Sequence, residues 1–343
     1  MQNGSIDHQE QISAIQARSP KRRANAPTVR VCLGADLPST GLIGHAQLVA
    51  RSLGGDVVLV HVLEAPISDT TPLDPVDWDI QRREARSILE KLAKRVAGSE
   101  GGVGTELLEG RLVDQIFACT ARKPRDITTV FRAPIGAQWS ISDPARSLIE
   151  SQIGSVLMVP SDSPVLNQQR YDKIMVPLDG SPRAESAVPN VVRLAKANDA
   201  EIILCHIAPE PQITQLGQAS SKTIEMRNQA VQQNKRAGGE YLRRIQARLQ
   251  DCGLRVKTVI ADGGDVRRGL LQVITDQHAD LVVIASHGQS NHPDVPTGDI
   301  ANFVMGRSPV PVLMVRSSNR SQKNHIFDKA ASTGVRQPAD VHK

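Results

Sequence analysis

Aromatic residues make up only 2% of this 343-residue chain, as four Phe, two Trp and two Tyr. Proteins that bind single-stranded nucleic acid stack bases on aromatic side chains. The scarcity argues against that class, and no nucleic-acid partner is expected. Cysteine is also scarce: Cys32, Cys119, Cys205 and Cys252 never fall at CxxC or another metal-ligand spacing. Cys32 and Cys205 lie inside apolar runs and read as small buried hydrophobes, a pattern that suits a reducing cytoplasm. No run is apolar for long enough to span a bilayer, and roughly the first 25 residues lack the apolar stretch of a secretory leader. Neither Walker A nor GxSxG occurs, and no GxGxxG follows the first apolar run. A cytoplasmic protein with no membrane partner is therefore expected.

What is present is aliphatic. Forty per cent of residues are hydrophobic and 22% charged, so cores of Val, Ile, Leu and Ala are available in a chain long enough for two domains. The net charge is +5. Part of it sits in Arg18 and Lys21-Arg22-Arg23, which read as a solvated tail.

The main organising feature is an internal repeat. Val29-Arg30-Val31-Cys32-Leu33 is followed by a turn-rich stretch from Gly34 to Gly41, an amphipathic segment, and an apolar run from Asp56 through His61. The order recurs from Lys173-Ile174-Met175-Val176-Pro177-Leu178 through Asp179-Gly180-Ser181-Pro182, a helical Ala187 to Lys196, and Ala200 through His206. His61 and His206 each close an apolar run at the same place in their copies. Long polar helices are expected at Trp78 to Ala97 and Thr223 to Asp251. In the second copy a strand follows at Leu254 to Ile260, then a helix at Asp265 to Gln277 and a strand at Asp280 to Ala285. Matching strands, Ser155 to Val159 and Pro311 to Val315, end the two copies. Short apolar runs alternating with segments of 3.6-residue period predict an α/β fold with parallel strands buried on both faces. The expected organisation is a disordered tail at 1–27, a first domain at 28–160, a linker at 161–171, a second domain at 172–316 and a disordered tail at 317–343.

In such sheets ligands bind beyond the carboxyl ends of the strands, where strand order reverses. There the second copy carries Ala285-Ser286-His287-Gly288, nine residues, then Gly298-Asp299-Ile300 opening a helix. Glycines let backbone approach a phosphate, and a helix N-terminus offers free N–H groups.

These residues resemble the universal stress protein family in a tandem form. Nucleotide-binding members of that family carry Gly-x-x-Gly, nine residues, then Gly followed by Ser or Thr. The resemblance covers roughly residues 29–160 and 172–316 and is specific in the second copy. It implies two tandem open, Rossmann-like parallel sheets of five strands, with helices on both faces. It also implies pairing through the last strand, as an intramolecular pseudo-dimer with a further homodimer possible in principle. ATP or another adenine nucleotide would be the ligand, and no metal is expected. Pro177 and Asp179 would contact it from the first strand, with Asp179 facing adenine or ribose, and Ile207 would line the base pocket. Ile284, Ala285, Gly288, Gly298, Asp299 and Ile300 would form the ribose and phosphate side.

Two positions depart from the family pattern. Ala285 replaces a glycine, adding one methyl. Asp299 replaces a hydroxyl donor with an anion, and a like-charge contact near 4 Å costs about 1 kcal/mol in water and about 4 in a partly buried setting. Weakened ATP binding is expected. In copy one, aligning Val156 to Val159 with Val312 to Val315 places Thr129 at Ala285, Arg132 at Gly288, Ser142 at Gly298 and Gly34 at Asp179. Only Asp143, before Pro144, reproduces Asp299. An aspartate plugging the helix N-terminus internally is one reading of both, and an ordinary N-cap is the other.

Remaining candidates read as ordinary structure. His287, His292 and Asp294 read as a solvated loop rather than a metal site, while Ser286 and Ser290 read equally as phosphate contacts or modification sites and as solvated loop residues. In Gly263 to Gly269, Asp265 is expected to cap a helix whose Arg267 and Arg268 face solvent. The functional expectation is a regulatory stress-response binding protein whose second domain is a weak or altered nucleotide sensor. Alternatives are an ATP-binding protein with slow hydrolysis and a nucleotide-free interaction scaffold.

Overall fold

The computed structural model describes residues 26–34, 40–64, 74–97, 103–123, 125–132, 148, 154–161, 163, 170–209, 221–263, 265–286 and 298–316. The first copy runs β1 (Val29–Leu33), α1 (Thr40–Leu53), β2 (Val57–Leu63), α2 (Pro75–Val96), β3 (Val103–Glu109), α3 (Leu112–Arg122), β4 (Ile127–Arg132) and β5 (Ser155–Pro160). The second runs β6 (Lys173–Pro177), α4 (Pro182–Glu185), α5 (Val188–Asn198), β7 (Glu201–Pro209), α6 (Ser221–Gln250), β8 (Val256–Gly263), α7 (Val266–Asp276), β9 (Leu281–Ala285), α8 (Asp299–Arg307) and β10 (Val312–Val315). The expected tails lie outside the described residues, apart from 26 and 27.

The strands form one ten-stranded sheet in the order β3-β2-β1-β4-β5-β10-β9-β6-β7-β8. Within each copy all neighbours are parallel. The copies join where β5 and β10 pair antiparallel, Leu157 opposite Leu313. Strand residues alternate between two buried faces. Val31, Leu59, Leu157, Val176, Leu204 and Leu313 pack under α1, α2, α5 and α6. Val130, Met158, Met175, Ile203 and Met314 pack under α3, α7 and α8. Each layer runs without a break across the junction. Burial pushes the Cys205 thiol up to about 12, which fits its reading as an inert apolar filler.

Both histidine-containing strands run further than their apolar pattern implied. His61 and His206 are interior residues, because β3 and β8 continue the ladder to Leu63↔Glu109 and Pro209↔Gly263. The copies also share a device at the opposite edge. Asp126, before β4, accepts a hydrogen bond from the Thr28 amide at 3.1 Å, and Asp280, before β9, accepts one from the Lys173 amide at 2.8 Å. In copy one Asp126 additionally binds the buried Arg30, whose guanidinium reaches Glu106 as well.

Beside the strand junction, α1 packs on α5 with a polar seam. The wholly buried Tyr171 stacks on His45 with ring centroids 5.8 Å apart. His45 Nδ1 lies 3.0 Å from the Tyr171 hydroxyl and Nε2 lies 3.2 Å from Ser163 Oγ. Asn198 accepts from the Tyr171 amide and donates to Ser52 Oγ, while Arg193 donates to the Leu53 carbonyl. The imidazole thus sits among neutral groups.

Helix α6 buries mainly its carboxyl-terminal half, through Gly238, Gly239, Leu242, Ile245 and Leu249. Gly238 lets it lie against the imidazole of His206: a Cβ there would sit 2.4 Å from His206 Cδ2, whereas one on Gly239 would meet the flexible ends of Ile260 at 3.1 Å and Arg243 at 3.5 Å.

Two outcomes follow. Burial pushes His45 from the ordinary 6.5 down to about 4. Below pH 6.5 the unfolded chain binds a proton that the native imidazole refuses, so stability falls as pH drops toward 4, by up to roughly 1.4 kcal/mol per pH unit. Melts followed by circular dichroism should show this decline below neutrality, and His45→Gln should flatten it while lowering stability at neutral pH. Gly238→Ala should lose about 1–3 kcal/mol to overpacking, outweighing the gain of about 1 kcal/mol in helix propensity. Gly239→Ala should be neutral or stabilising, and urea unfolding midpoints distinguish the pair.

Candidate functional site

The chain leaves β6 on one side to form β7 and returns on the other to form β9. Strand order therefore reverses between β6 and β9, and the crevice at their carboxyl ends is where a parallel sheet accepts ligands. Pro177 ends β6 opposite Cys205, and the Leu178 amide continues the ladder to the Cys205 carbonyl at 2.8 Å. Asp179 follows at the rim. Its Oδ1 accepts from the Ser181 amide at 2.9 Å, across Gly180 with φ +87°, a backbone that favours glycine. Ser181 Oγ then caps α4 by accepting from the Ala184 amide at 3.1 Å. This turn fixes Asp179 in a partly exposed position.

On the far side of the crevice, Ile284 and Ala285 end β9, both buried. The Ser286 amide donates to the Val315 carbonyl at 3.0 Å, and its carbonyl accepts from the Gly298 amide at 2.8 Å. Ser286 is buried here and is not a solvated loop residue. Its bonds clamp the start of α8 onto the strand end. The first helical bond runs from the Asn302 amide to the Gly298 carbonyl, and α8 has no side-chain cap. Asp299, Ile300 and Ala301 thus present amides without intrahelical partners. Ile207, on β7, is buried in the same face as Met175 and Ile203, while Ile300 is exposed. The structure therefore gathers Pro177, Asp179, Ile284, Ala285, Gly298 and Asp299 around one crevice, with Ile207 one strand away. Gly288, His287, Ser290, His292 and Asp294 lie outside the described residues.

Asp299 does not plug the helix. The N-cap is Gly298, and the Asp299 side chain, 77% exposed, turns outward to pair with Arg267. Arg267 Nη1 lies 3.1 Å from Asp299 Oδ2, and its Nε lies 3.1 Å from Asp265 Oδ1. Asp265 caps α7 as expected, accepting from the Arg267 amide at 3.0 Å. Hydrogen bonding from Arg267 holds the Asp265 carboxyl below its ordinary range, and Asp265 raises the guanidinium in return. The guanidinium also lies over Phe303 of α8, 5.5 Å from the ring centre. Sequence reasoning treated Arg267 as a solvated helix residue. The available signal was an arginine two residues after an N-cap aspartate, a position at the same end of the sheet as the phosphate loop.

Below the crevice, His206 Nδ1 lies 2.8 Å from the Leu178 carbonyl. Tyr241 donates to Glu185 Oε1 at 3.1 Å, and burial, with Glu185 close by, raises its phenol. In copy one the corresponding His61 Nδ1 is buried and has no hydrogen-bond partner among the described residues.

The sheet ladder corrects the alignment of copy one. Val29↔Ile127 corresponds to Ile174↔Leu281, an offset of 154, whereas Val156 corresponds to Val312, an offset of 156. Copy two therefore has two more residues between its fourth and fifth strands. Phe131, not Thr129, stands at Ala285, and Arg132 stands at Ser286 rather than Gly288. Thr129 matches Val283, inside the sheet. Gly34 follows β1 where Asp179 follows β6, and the buried Arg132 fills the strand end. Ser142, Asp143 and Pro144 lie outside the described residues. Among the described residues no group of three His, Cys, Asp or Glu side chains could hold a metal ion, and no helix is long and apolar enough to cross a membrane.

Residues 170–316 match the model of the universal stress protein family. A universal stress protein of Methanocaldococcus jannaschii, MJ0577, is 28% identical over 162 residues, covering 43% of this chain and 97% of that protein. Universal stress protein Rv2005c of Mycobacterium tuberculosis is 24% identical over 269 residues, 76% of this chain and 88% of its own length, a span that takes in both copies. Across 85% of the chain the fold is that of a universal stress protein from Archaeoglobus fulgidus, with a TM-score of 0.57 at 15% identity and 97% of that chain covered. Two other universal stress proteins, one in complex with cAMP and one from Arabidopsis thaliana with AMP bound, match 43% of the chain at TM-scores of 0.30 and 0.31. Residues 170–316 thus form a domain similar to the universal stress protein family, preceded by a second copy of the same strand order.

Proposed function

We propose that the second copy is an adenine-nucleotide sensor of altered competence within a cytoplasmic regulatory binding protein of the stress response. The first copy is its structural partner. The observation that carries this reading is the arrangement at the strand switch point. Asp179 is fixed by its own turn on one side, and an uncapped helix start is clamped to the end of β9 on the other. A carboxylate at that rim accepts hydrogen bonds from a ribose or an adenine amino group, and the amides of α8 favour an anion. Ala285 and Asp299 are the sources of altered competence. In copy one Gly34 stands after β1 where Asp179 stands after β6, and Arg132 is buried at the end of β4.

A fully competent ATP site is the second reading. The Arg267–Asp299 ion pair favours it, because a neighbouring guanidinium offsets the anion that would repel a triphosphate. The first reading is of binding alone, and the second carries slow hydrolysis.

Ligand that binds only the native state must raise the melting temperature. AMP, ADP or ATP at millimolar concentration should give a rise of a few degrees, and Asp179→Ala should abolish it. A rise with ATP equal to that with AMP selects the second reading. No rise with any of the three leaves the nucleotide-free scaffold.

A further inference from the structure

The helix that opens the phosphate side begins with a residue of the wrong chemistry. In the motif this chain resembles, a Ser or Thr hydroxyl would stand at position 299 and donate to phosphate. The aspartate there accepts and cannot donate. Yet it does not stand alone: Arg267 reaches across from the first turn of α7 and bonds to it through Nη1.

Three residues fix the guanidinium at this place. Nε bonds to Asp265 at 3.1 Å and Nη2 lies 3.4 Å from the same carboxylate. Nη1 bonds to Asp299 at 3.1 Å, and the plane lies over Phe303. Arginine carries five N–H groups, so these bonds leave donors unspent. The side chain is 41% exposed.

We propose that Arg267, carried into place by Asp299, is the phosphate-recognising donor of the nucleotide site, substituting for the missing hydroxyl. The inference rests on the nucleotide reading of the second copy. The aspartate then acts as a positioning residue for the arginine. A fork of charged donors recognises a phosphate group more strongly than one neutral hydroxyl, so the site is altered in its donor and keeps its affinity for phosphate.

Titration calorimetry with adenosine and AMP on five proteins tests this: wild type, Arg267→Ala, Arg267→Lys, Asp299→Ser and the Arg267→Ala/Asp299→Ser double variant. Arg267→Ala should weaken AMP about tenfold or more and leave adenosine unchanged, since only AMP has the phosphate. Arg267→Lys should recover less than half of that loss on a logarithmic scale, because it restores charge without the fork. In the Asp299→Ser background, where a hydroxyl donor is restored, Arg267→Ala should cost less than about threefold. Equal AMP affinity in wild type and Arg267→Ala overturns the proposal while leaving the nucleotide reading intact. An equal loss for adenosine and AMP also overturns it, since the arginine then acts on the fold. Failure of wild type and Asp299→Ser alike to bind either ligand overturns both.

Discussion

Three residues of β10 pair antiparallel with β5, and this short pairing is the contact on which the larger architecture depends. A parallel five-stranded sheet must end somewhere, and an unpaired apolar edge is a template for aggregation. Val156, Leu157 and Met158 are almost wholly buried, as are Val312, Leu313 and Met314. Neither strand could remain an edge in water. Pairing them satisfies both ladders at once and brings α1 against α5 on one face. The two hydrophobic layers then continue through the junction. The outer edges fall to β3 and β8, whose residues are more exposed.

The junction is not purely apolar. Tyr171, His45, Ser163, Asn198 and Ser52 form a chain of hydrogen bonds between the copies. Buried polar groups cost free energy unless paired, so such a chain fixes the registration of two surfaces that apolar packing alone would specify loosely. Burial keeps the imidazole neutral, which lets both ring nitrogens serve neutral oxygen partners without placing a charge in the seam.

From this common frame the two copies have diverged at the same end of the sheet. Copy two keeps an acidic turn after its first strand and a helix start tied to its fourth. Copy one places Gly34 after its first strand and buries Arg132 at the end of its fourth. Its core has diverged too. Arg30 occupies the place of Met175 and carries buried charge into the layer, matched by Glu106 and Asp126. A buried cation matched by two carboxylates is a specific arrangement more than a stabilising one. The shared Asp126 and Asp280 show what was retained, a carboxylate that closes the amino end of the first strand in both halves.

The sequence alone determined the repeat, the alternation of apolar strands with amphipathic helices, and the turn and glycine spacing at the crevice. These are local signals: period, branching and turn chemistry act over a few residues, so they can be read without the fold. What the tertiary structure decided were matters of partner and register. Thr129 and Phe131 are two residues apart, and only the ladder shows which of them stands at Ala285. The extent of β2 and β7 beyond His61 and His206 depended on neighbouring strands. Asp299 and Arg267 are 32 positions apart in the chain, on separate helices, so no local pattern could pair them. The aspartate was legible as an anion at a helix start. That its charge is met by a guanidinium held by a second aspartate follows only from how α7 and α8 pack on the same face of the sheet.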